Sequence, residues 1–121
     1  MNKKKVVFLN LFKISFPLTA IGSIGHRISG FFLFLTIPAL LCALYFSYSS
    51  EENFNFIASS IADYFWLICL VILAFVYHLC AGVRHLLMDI GIGDKSFQMA
   101  KTSALVMMIA SVLIFIFIIF V

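Results

Sequence analysis

The sequence predicts an all-α membrane protein with three transmembrane helices. Its 121 residues are 64% hydrophobic and only 11% charged, and a soluble domain of this size cannot bury so much apolar surface. Three stretches, 28–50, 64–83 and 102–121, contain no Asp, Glu, Lys or Arg. About 20 helical residues cross a ~30 Å hydrocarbon core. The apolar runs are continuous, whereas the strands of a membrane barrel alternate, so the pattern favours helices.

The basic residues indicate how the chain is oriented. All eight lie either before the first apolar stretch or between the second and the third: Lys3, Lys4, Lys5, Lys13, Arg27, Arg84, Lys95 and Lys101. The segment between the first two stretches carries only acidic charges, on Glu51, Glu52 and Asp63. The positive-inside rule therefore predicts an N-terminus on the cytoplasmic or matrix side and a C-terminus on the opposite side.

The chain is expected to form a single membrane-anchor domain, 1–121, with a segment lying on the membrane surface before the helices. The predicted ranges are about 6–16 for that interfacial segment and about 17–48, 62–90 and 99–121 for the helices. Pro17 suits a first helical turn, and Pro38 should bend helix 1 because proline removes one backbone hydrogen bond. Asn53 and its neighbours are expected to form a polar outer loop, and Gly91 and Gly93 mark the turn before the last helix.

His78 is the histidine that lies inside an uncharged stretch. It precedes Arg84 by six residues, ~9 Å along a helix, and an ionisable side chain at that depth usually has a specific partner. It could be a neutral imidazole bonded to a neighbouring helix or an axial ligand of haem iron. Gly82, one turn later on the same face, leaves room for a flat macrocycle or for a packed helix. Within this chain, Met107 and Met108 are the weak candidates for an iron ligand opposite His78. A second axial ligand is therefore expected from a partner subunit.

Basic side chains at the end of the second helix could contact such a macrocycle. His85 follows His78 by seven residues and returns to nearly the same face. His85 and Arg84 are therefore candidates to meet haem propionates. They could equally be ordinary interfacial basic residues.

A second polar cluster lies near the start of the first helix. Ser23 and Arg27 are four residues apart and share one face. A hydroxyl and a guanidinium at the interface suit a quinone, which has polar carbonyls on an apolar tail. His26, on the adjacent face, could reach a propionate. Alternatively, the segment is a packing seam of small residues with basic anchors, its glycines being Gly22, Gly25 and Gly30.

Two motifs in register carry a family resemblance. Residues 23–30, SIGHRISG, resemble the signature S-x-x-H-R-x-[ST]-G of the cytochrome b subunit of succinate dehydrogenase. Residues 78–89, HLCAGVRHLLMD, resemble its second signature, H-x-x-x-G-x-R-H-L-x-x-D. The preceding FPLTA, 16–20, also resembles that family's approach to helix 1.

The resemblance implies roles for individual residues. Ser23 and Arg27 match positions that line the ubiquinone pocket, and His78 matches the axial ligand of haem b. The second axial histidine would come from a smaller hydrophobic anchor subunit, so that this chain forms half of a haem-binding heterodimeric helix bundle. The residues matching the surroundings of the haem and its propionates are His26, Gly82, Arg84 and His85.

The resemblance also implies partners and a location. A flavoprotein with FAD would oxidise succinate and an iron–sulfur subunit would pass electrons to quinone, so this chain would carry no catalytic residue for succinate and bind no nucleic acid. The expected location is the bacterial inner membrane, or the mitochondrial inner membrane if the gene is organellar. Alternatives are the anchor of a fumarate reductase, a haem-free structural anchor, and a small transporter with His78 as proton relay. The transporter is disfavoured because no acidic residue lies inside an apolar stretch.

Overall fold

The computed structural model describes residues 17–121, and within that range all regular structure is helical. These residues form four helices: α1 (Leu18–Ser49), α2 (Glu51–Asp63), α3 (Phe65–Asp89) and α4 (Phe97–Phe120). Helices α1, α3 and α4 are long and apolar enough to cross a membrane, which confirms the three predicted transmembrane helices. The predicted interfacial segment 6–16 and half of the basic residues lie outside the described residues.

Helix α1 is longer than a bilayer core is thick. Its 32 residues extend ~48 Å at 1.5 Å per residue, against a core of ~30 Å. The helix continues through Pro38, although proline has no N–H to donate to the carbonyl one turn earlier. Close to this point, the hydroxyl of Thr36 donates to the carbonyl of Phe32 at 2.8 Å.

The segment predicted as a polar outer loop is instead the short helix α2. The hydroxyl of Ser50 accepts a hydrogen bond from the backbone N–H of Asn53 at 3.1 Å, and this caps the first turn. Glu51 and Glu52 lie in that turn, where negative charge stabilises the helix dipole. The sequence predicts that the second transmembrane helix begins near residue 62. In the structure it is α3, which begins at Phe65.

The turn between α3 and α4 is closed by a glycine in the left-handed region. Gly91 has φ of 77°, which a side chain would oppose. Its N–H donates to the carbonyl of Met88, and the N–H of Ile92 donates to the carbonyl of Leu87, both at 2.9 Å. This pair of bonds is the Schellman arrangement that ends helices. The hydroxyl of Ser96 then accepts from the N–H of Met99 at 3.2 Å and starts α4.

Helix α3 packs against both α1 and α4, and α1 makes a smaller contact with α4. Small side chains fill the seams, since Ala81 on α3 and Ala104 and Ser111 on α4 are each at most 1% exposed. Small residues allow membrane helices to approach closely. Large apolar side chains point outward instead, as with Phe34 at 70% exposed. The described part of the chain therefore has the pattern of a bundle solvated by lipid or by further helices.

Candidate functional site

Three histidines from α1 and α3 come together. The rings of His26 on α1 and His78 on α3 stack, with centroids 4.1 Å apart and planes inclined by 19°. The ring of His85, two turns further along α3, lies 5.1 Å from that of His26 at 44°. The sequence singled out each histidine separately, and the structure joins them into one column across the α1–α3 seam.

The Nδ1 atom of His78 lies against the backbone of α1. It is 3.0 Å from the main-chain oxygen of His26 and 3.2 Å from the hydroxyl oxygen of Ser29. A carbonyl oxygen can only accept a hydrogen bond, so the short contact is favourable only when Nδ1 carries the proton. This geometry requires a proton on Nδ1, and in a neutral imidazole that leaves the lone pair on Nε2.

Close approach of the two helices at this point depends on Gly30. A Cβ atom on residue 30 would lie 2.7 Å from Cε1 and 3.2 Å from Nδ1 of His78. Contacts below 3.0 Å are essentially never observed for a real Cβ, so the imidazole occupies the space that a side chain would take. Gly82 is less constrained, because a Cβ there would meet His26 Nε2 at an ordinary 3.5 Å.

His78 lines an apolar groove between α1 and α3. The groove has a volume of about 630 Å³, within the ~300–1,000 Å³ typical of ligand and cofactor sites. Its walls are otherwise apolar, and Ile118 of α4 contributes at one end. Two of its lining side chains, Phe34 and Phe75, are exposed in the isolated chain. The groove can therefore accept a large apolar group or a partner helix.

The predicted quinone residues lie on the same face of α1 as this groove. Ser23, Arg27, Gly30, Phe34 and Ile37 follow one another at spacings of four, three, four and three residues, which places them along one side of a helix. The last three line the groove. Arg27 is exposed and Ser23 half-buried. One helix face thus carries a polar pair followed by an apolar wall.

Arg84 lies apart from the histidine column. Its guanidinium is directed to α4, where Nε donates to the hydroxyl oxygen of Ser103 at 3.1 Å and Nη2 donates to the carbonyl of Ala100 at 3.2 Å. The side chain is only 6% exposed. The Ser103 hydroxyl in turn lies 3.1 Å from the carbonyl of Gly93. Arg84 therefore joins the end of α3 to the start of α4.

Two contacts of the site were missed by sequence reasoning. Ser29, which the sequence marks only as part of a motif, touches His78, and Tyr77 donates its hydroxyl to the carbonyl of Gly22 at 3.2 Å. The available signal for Ser29 was its position three residues after His26, on the face that α3 covers. For Tyr77 the sequence offers no such signal.

The residues around His78 fit a haem iron. A histidine that binds a metal through one ring nitrogen almost always donates the other ring N–H to a carbonyl, carboxylate or water. His78 has that arrangement, with its Nδ1–H directed at the His26 carbonyl and its ring on the wall of an apolar groove.

Comparison with known proteins identifies the family. The family described as succinate dehydrogenase/fumarate reductase transmembrane subunit matches residues 1–118. The succinate dehydrogenase cytochrome b556 subunit of Coxiella burnetii is 41% identical over 98 residues, which cover 78% of this chain and 78% of that protein. The equivalent subunit of Rickettsia bellii is 40% identical over 73 residues, covering 59% of this chain and 56% of that protein. The subunit of Rickettsia felis is 36% identical over 87 residues, covering 70% and 65%.

These matches confirm the resemblance carried by the two motifs. With its three helices able to span a membrane, the chain belongs to the family of transmembrane subunits of succinate dehydrogenase and fumarate reductase.

Proposed function

We propose that this chain is the cytochrome b membrane anchor of a succinate dehydrogenase. In this role His78 is an axial ligand of haem b, and Ser23 and Arg27 form part of the ubiquinone-reduction site. The names of the relatives support the class of protein. The residue roles are supported by the two motifs and by the arrangement of His26, Ser29, Gly30 and His78.

The observation that carries the proposal is the bond from His78 Nδ1 to the His26 carbonyl. It leaves Nε2 as the nitrogen with a lone pair, which is the form of imidazole that binds iron. It also fixes the ring relative to α1, so the ligand needs little reorganisation on binding. The same bond would serve a purely structural histidine beside a groove filled by a partner helix, and the optical spectrum described below separates the two assignments.

Haem b, when bound, supplies a one-electron store whose potential depends on its ligands and its burial. His26 and His85 lie on the side of His78 toward the helix ends that carry Arg27 and Asp89. They are the candidates to donate hydrogen bonds to propionates. The contacts of Arg84 support a role in joining α3 to α4 in place of its predicted propionate contact.

Ser23 and Arg27 are suited to orient a quinone headgroup. The Arg27 guanidinium is exposed and can donate several hydrogen bonds in a fixed geometry. Donors aimed at a carbonyl oxygen stabilise the negative charge that develops there on reduction. The apolar continuation of the same α1 face suits the isoprenoid tail.

The remaining components follow from this assignment. Succinate would be oxidised by a flavoprotein with FAD, and electrons would pass through an iron–sulfur subunit. Both would dock on the side of the membrane where the Lys and Arg residues of this chain lie. A second anchor subunit would supply the other axial histidine and cover the exposed faces of α1 and α3. The bacterial relatives favour the bacterial inner membrane, with the N-terminus in the cytoplasm and the C-terminus outside.

The family also includes fumarate reductases, which run the reaction in the opposite direction. Succinate oxidation and fumarate reduction by the same purified complex, each measured with its quinone partner, separate these two assignments. We expect succinate oxidation to be the faster reaction with ubiquinone.

The proposal is tested on the purified complex by a reduced-minus-oxidised optical spectrum. His78→Leu should abolish or strongly alter the b-type spectrum, because it removes an iron ligand. Met107→Leu and Met108→Leu are matched controls for the weak alternative ligands on α4, and both should keep the wild-type spectrum. A wild-type complex that reduces quinone but shows no b-type bands in this spectrum would instead support the haem-free structural anchor.

A further inference from the structure

Ser29 makes a contact that no role assigned so far requires. It is 7% exposed, and its hydroxyl oxygen lies 2.9 Å from the carbonyl oxygen of His26 and 3.2 Å from Nδ1 of His78. Nδ1 is in turn 3.0 Å from the same carbonyl oxygen. The three atoms therefore form a closed triangle, with every side within hydrogen-bonding distance.

The protons in this triangle can be placed by counting donors. The carbonyl oxygen only accepts, and a serine hydroxyl has a single proton. If Ser29 donated that proton to Nδ1, the nitrogen would carry a lone pair facing the carbonyl oxygen at 3.0 Å, which is repulsive. The favourable arrangement has Ser29 donating to the carbonyl of His26, while the Nδ1–H of His78 is shared between that carbonyl and the Ser29 oxygen.

We infer that Ser29 is a positioning residue for the haem ligand. Its hydroxyl, together with the His26 carbonyl, holds the His78 imidazole in the Nδ1–H tautomer and in one ring orientation. The inference rests on the proposed role of His78 as an axial ligand. It adds a side chain that acts on iron binding through His78 without touching the haem.

The physical reason is that the hydrogen bond made by Nδ1 affects how Nε2 binds the iron. An acceptor at the N–H of a ligating histidine fixes the tautomer and the plane of the ring and makes the other nitrogen a stronger donor. Loss of such an acceptor typically weakens metal binding by about 10- to 100-fold. Because the His26 carbonyl remains when the Ser29 hydroxyl is removed, we expect the lower end of that range.

The chain offers a closely matched control on α4. Ser111 is 1% exposed, and its hydroxyl donates to the carbonyl three residues earlier, that of Met108, at 2.8 Å. Ser29→Ala and Ser111→Ala therefore each delete one buried hydroxyl that bonds the carbonyl three residues earlier in its own helix. They differ in that only Ser29 faces an imidazole. Ser29→Thr keeps the hydroxyl and is the conservative variant.

The experiment uses the complete complex, purified with all subunits and checked for equal subunit content on a gel. Transfer of haem to excess apomyoglobin should be about tenfold faster in Ser29→Ala than in wild type. The low-temperature EPR signal of the oxidised haem should also shift, because it depends on the orientation of the axial imidazole. Ser111→Ala and Ser29→Thr should match wild type in both measurements.

The possible failures can be told apart. If Ser29→Ala and Ser111→Ala behave alike in a complex whose spectrum is lost in His78→Leu, the role of Ser29 is wrong and the proposed function stands. A wild-type complex that contains no haem overturns both. Loss of subunits in Ser29→Ala alone, with Ser29→Thr restoring assembly but not the EPR signal of wild type, would also contradict the positioning role.

Discussion

The Nδ1 atom of His78 lies 3.0 Å from the main-chain oxygen of His26, so a side chain of α3 is held by the backbone of α1. Substitution of the His26 side chain leaves this acceptor in place. The orientation of the proposed haem ligand therefore depends on how closely the two helices approach and on their register. Both are set by the residues that pack between them, and Gly30 is the one that makes room for the His78 ring.

The first prediction concerns Gly30→Ala. The added Cβ would lie 2.7 Å from Cε1 of His78, so the ring or the helix must shift by several tenths of an ångström. Overpacking of this kind typically costs about 1–3 kcal/mol, which exceeds the ~0.5–1 kcal/mol that Ala gains over Gly in a helix. We expect the haem content per complex, measured by the pyridine haemochrome spectrum, to fall well below that of wild type.

Gly22→Ala is the matched control on the same helix. Its Cβ would meet only the flexible ends of Met107 and Met108, at 3.5 and 3.7 Å, which are ordinary contacts. It should retain the wild-type haem content. Equal loss of haem in both variants would show that α1 tolerates no added methyl group in this region, and the specific contact with His78 would then not explain the result.

The sequence predicts the transmembrane helices better than the contacts between them. Long uncharged stretches reveal α1, α3 and α4, because bilayer thickness imposes their length. Helix α2 was missed because its residues are mixed in polarity, and the signal that defines it is the cap formed by Ser50 and the acidic first turn, Glu51 and Glu52.

The candidate site shows the same difference between what the sequence predicts and what only the packing of the helices determines. The depth of His78 in an apolar stretch is visible in the sequence, and so is the shared face of Ser23 and Arg27. The partner of each side chain is not visible, because it depends on how one helix is rotated against the next. Arg84 illustrates this, since its position next to His85 in the sequence suggests a common role, whereas its contacts are on α4.

The second prediction concerns orientation in the membrane. The positive-inside rule places the end of α4 on the outer side. Alkaline phosphatase, which is active only outside the cytoplasm, should be active when fused after Val121 and inactive when fused in the turn after Gly93. Fusions to green fluorescent protein at the same two positions should give the reverse result. The opposite pattern would invert the topology and would place Arg27 on the wrong side for the iron–sulfur subunit.

The third prediction concerns Arg27→Ala. Removing one donor aimed at a developing negative charge typically costs about 100-fold or more in rate. Electron transfer from succinate to ubiquinone should fall by about that factor, while succinate oxidation by an artificial soluble acceptor should change little. The measurement is the ratio of the two activities in the same preparation.

Lys101→Ala is the control for Arg27→Ala. It removes one exposed positive charge from the first turns of α4, at the same end of the bundle, without touching the proposed quinone face. It should preserve both activities. If Arg27→Ala reduced both activities equally, its role would be in assembly of the complex and its place in a quinone site would be lost.

The fourth prediction tests whether Arg84 acts through α4. Hydrogen bonds from a charged donor contribute about 1.5–3 kcal/mol, and Arg84 makes two, to Ser103 and to the carbonyl of Ala100. Arg84→Gln and Ser103→Ala should each lower the thermal stability of the complex. Because the two side chains are bonded, the double variant should be less destabilised than the sum of the single variants, by roughly 0.5–3 kcal/mol.

A propionate contact would give a different result. In that case Ser103→Ala would have little effect on haem, Arg84→Gln would shift the haem potential, and the two effects on stability would add. The comparison of the single and double variants is informative because of the position of Ser103. Its hydroxyl also reaches the carbonyls of Gly93 and Ala100, so it connects Arg84 to the turn that precedes α4. Coupling between the two substitutions, with an unchanged haem potential, would establish that Arg84 secures the packing of α3 on α4 and does not contact a haem propionate.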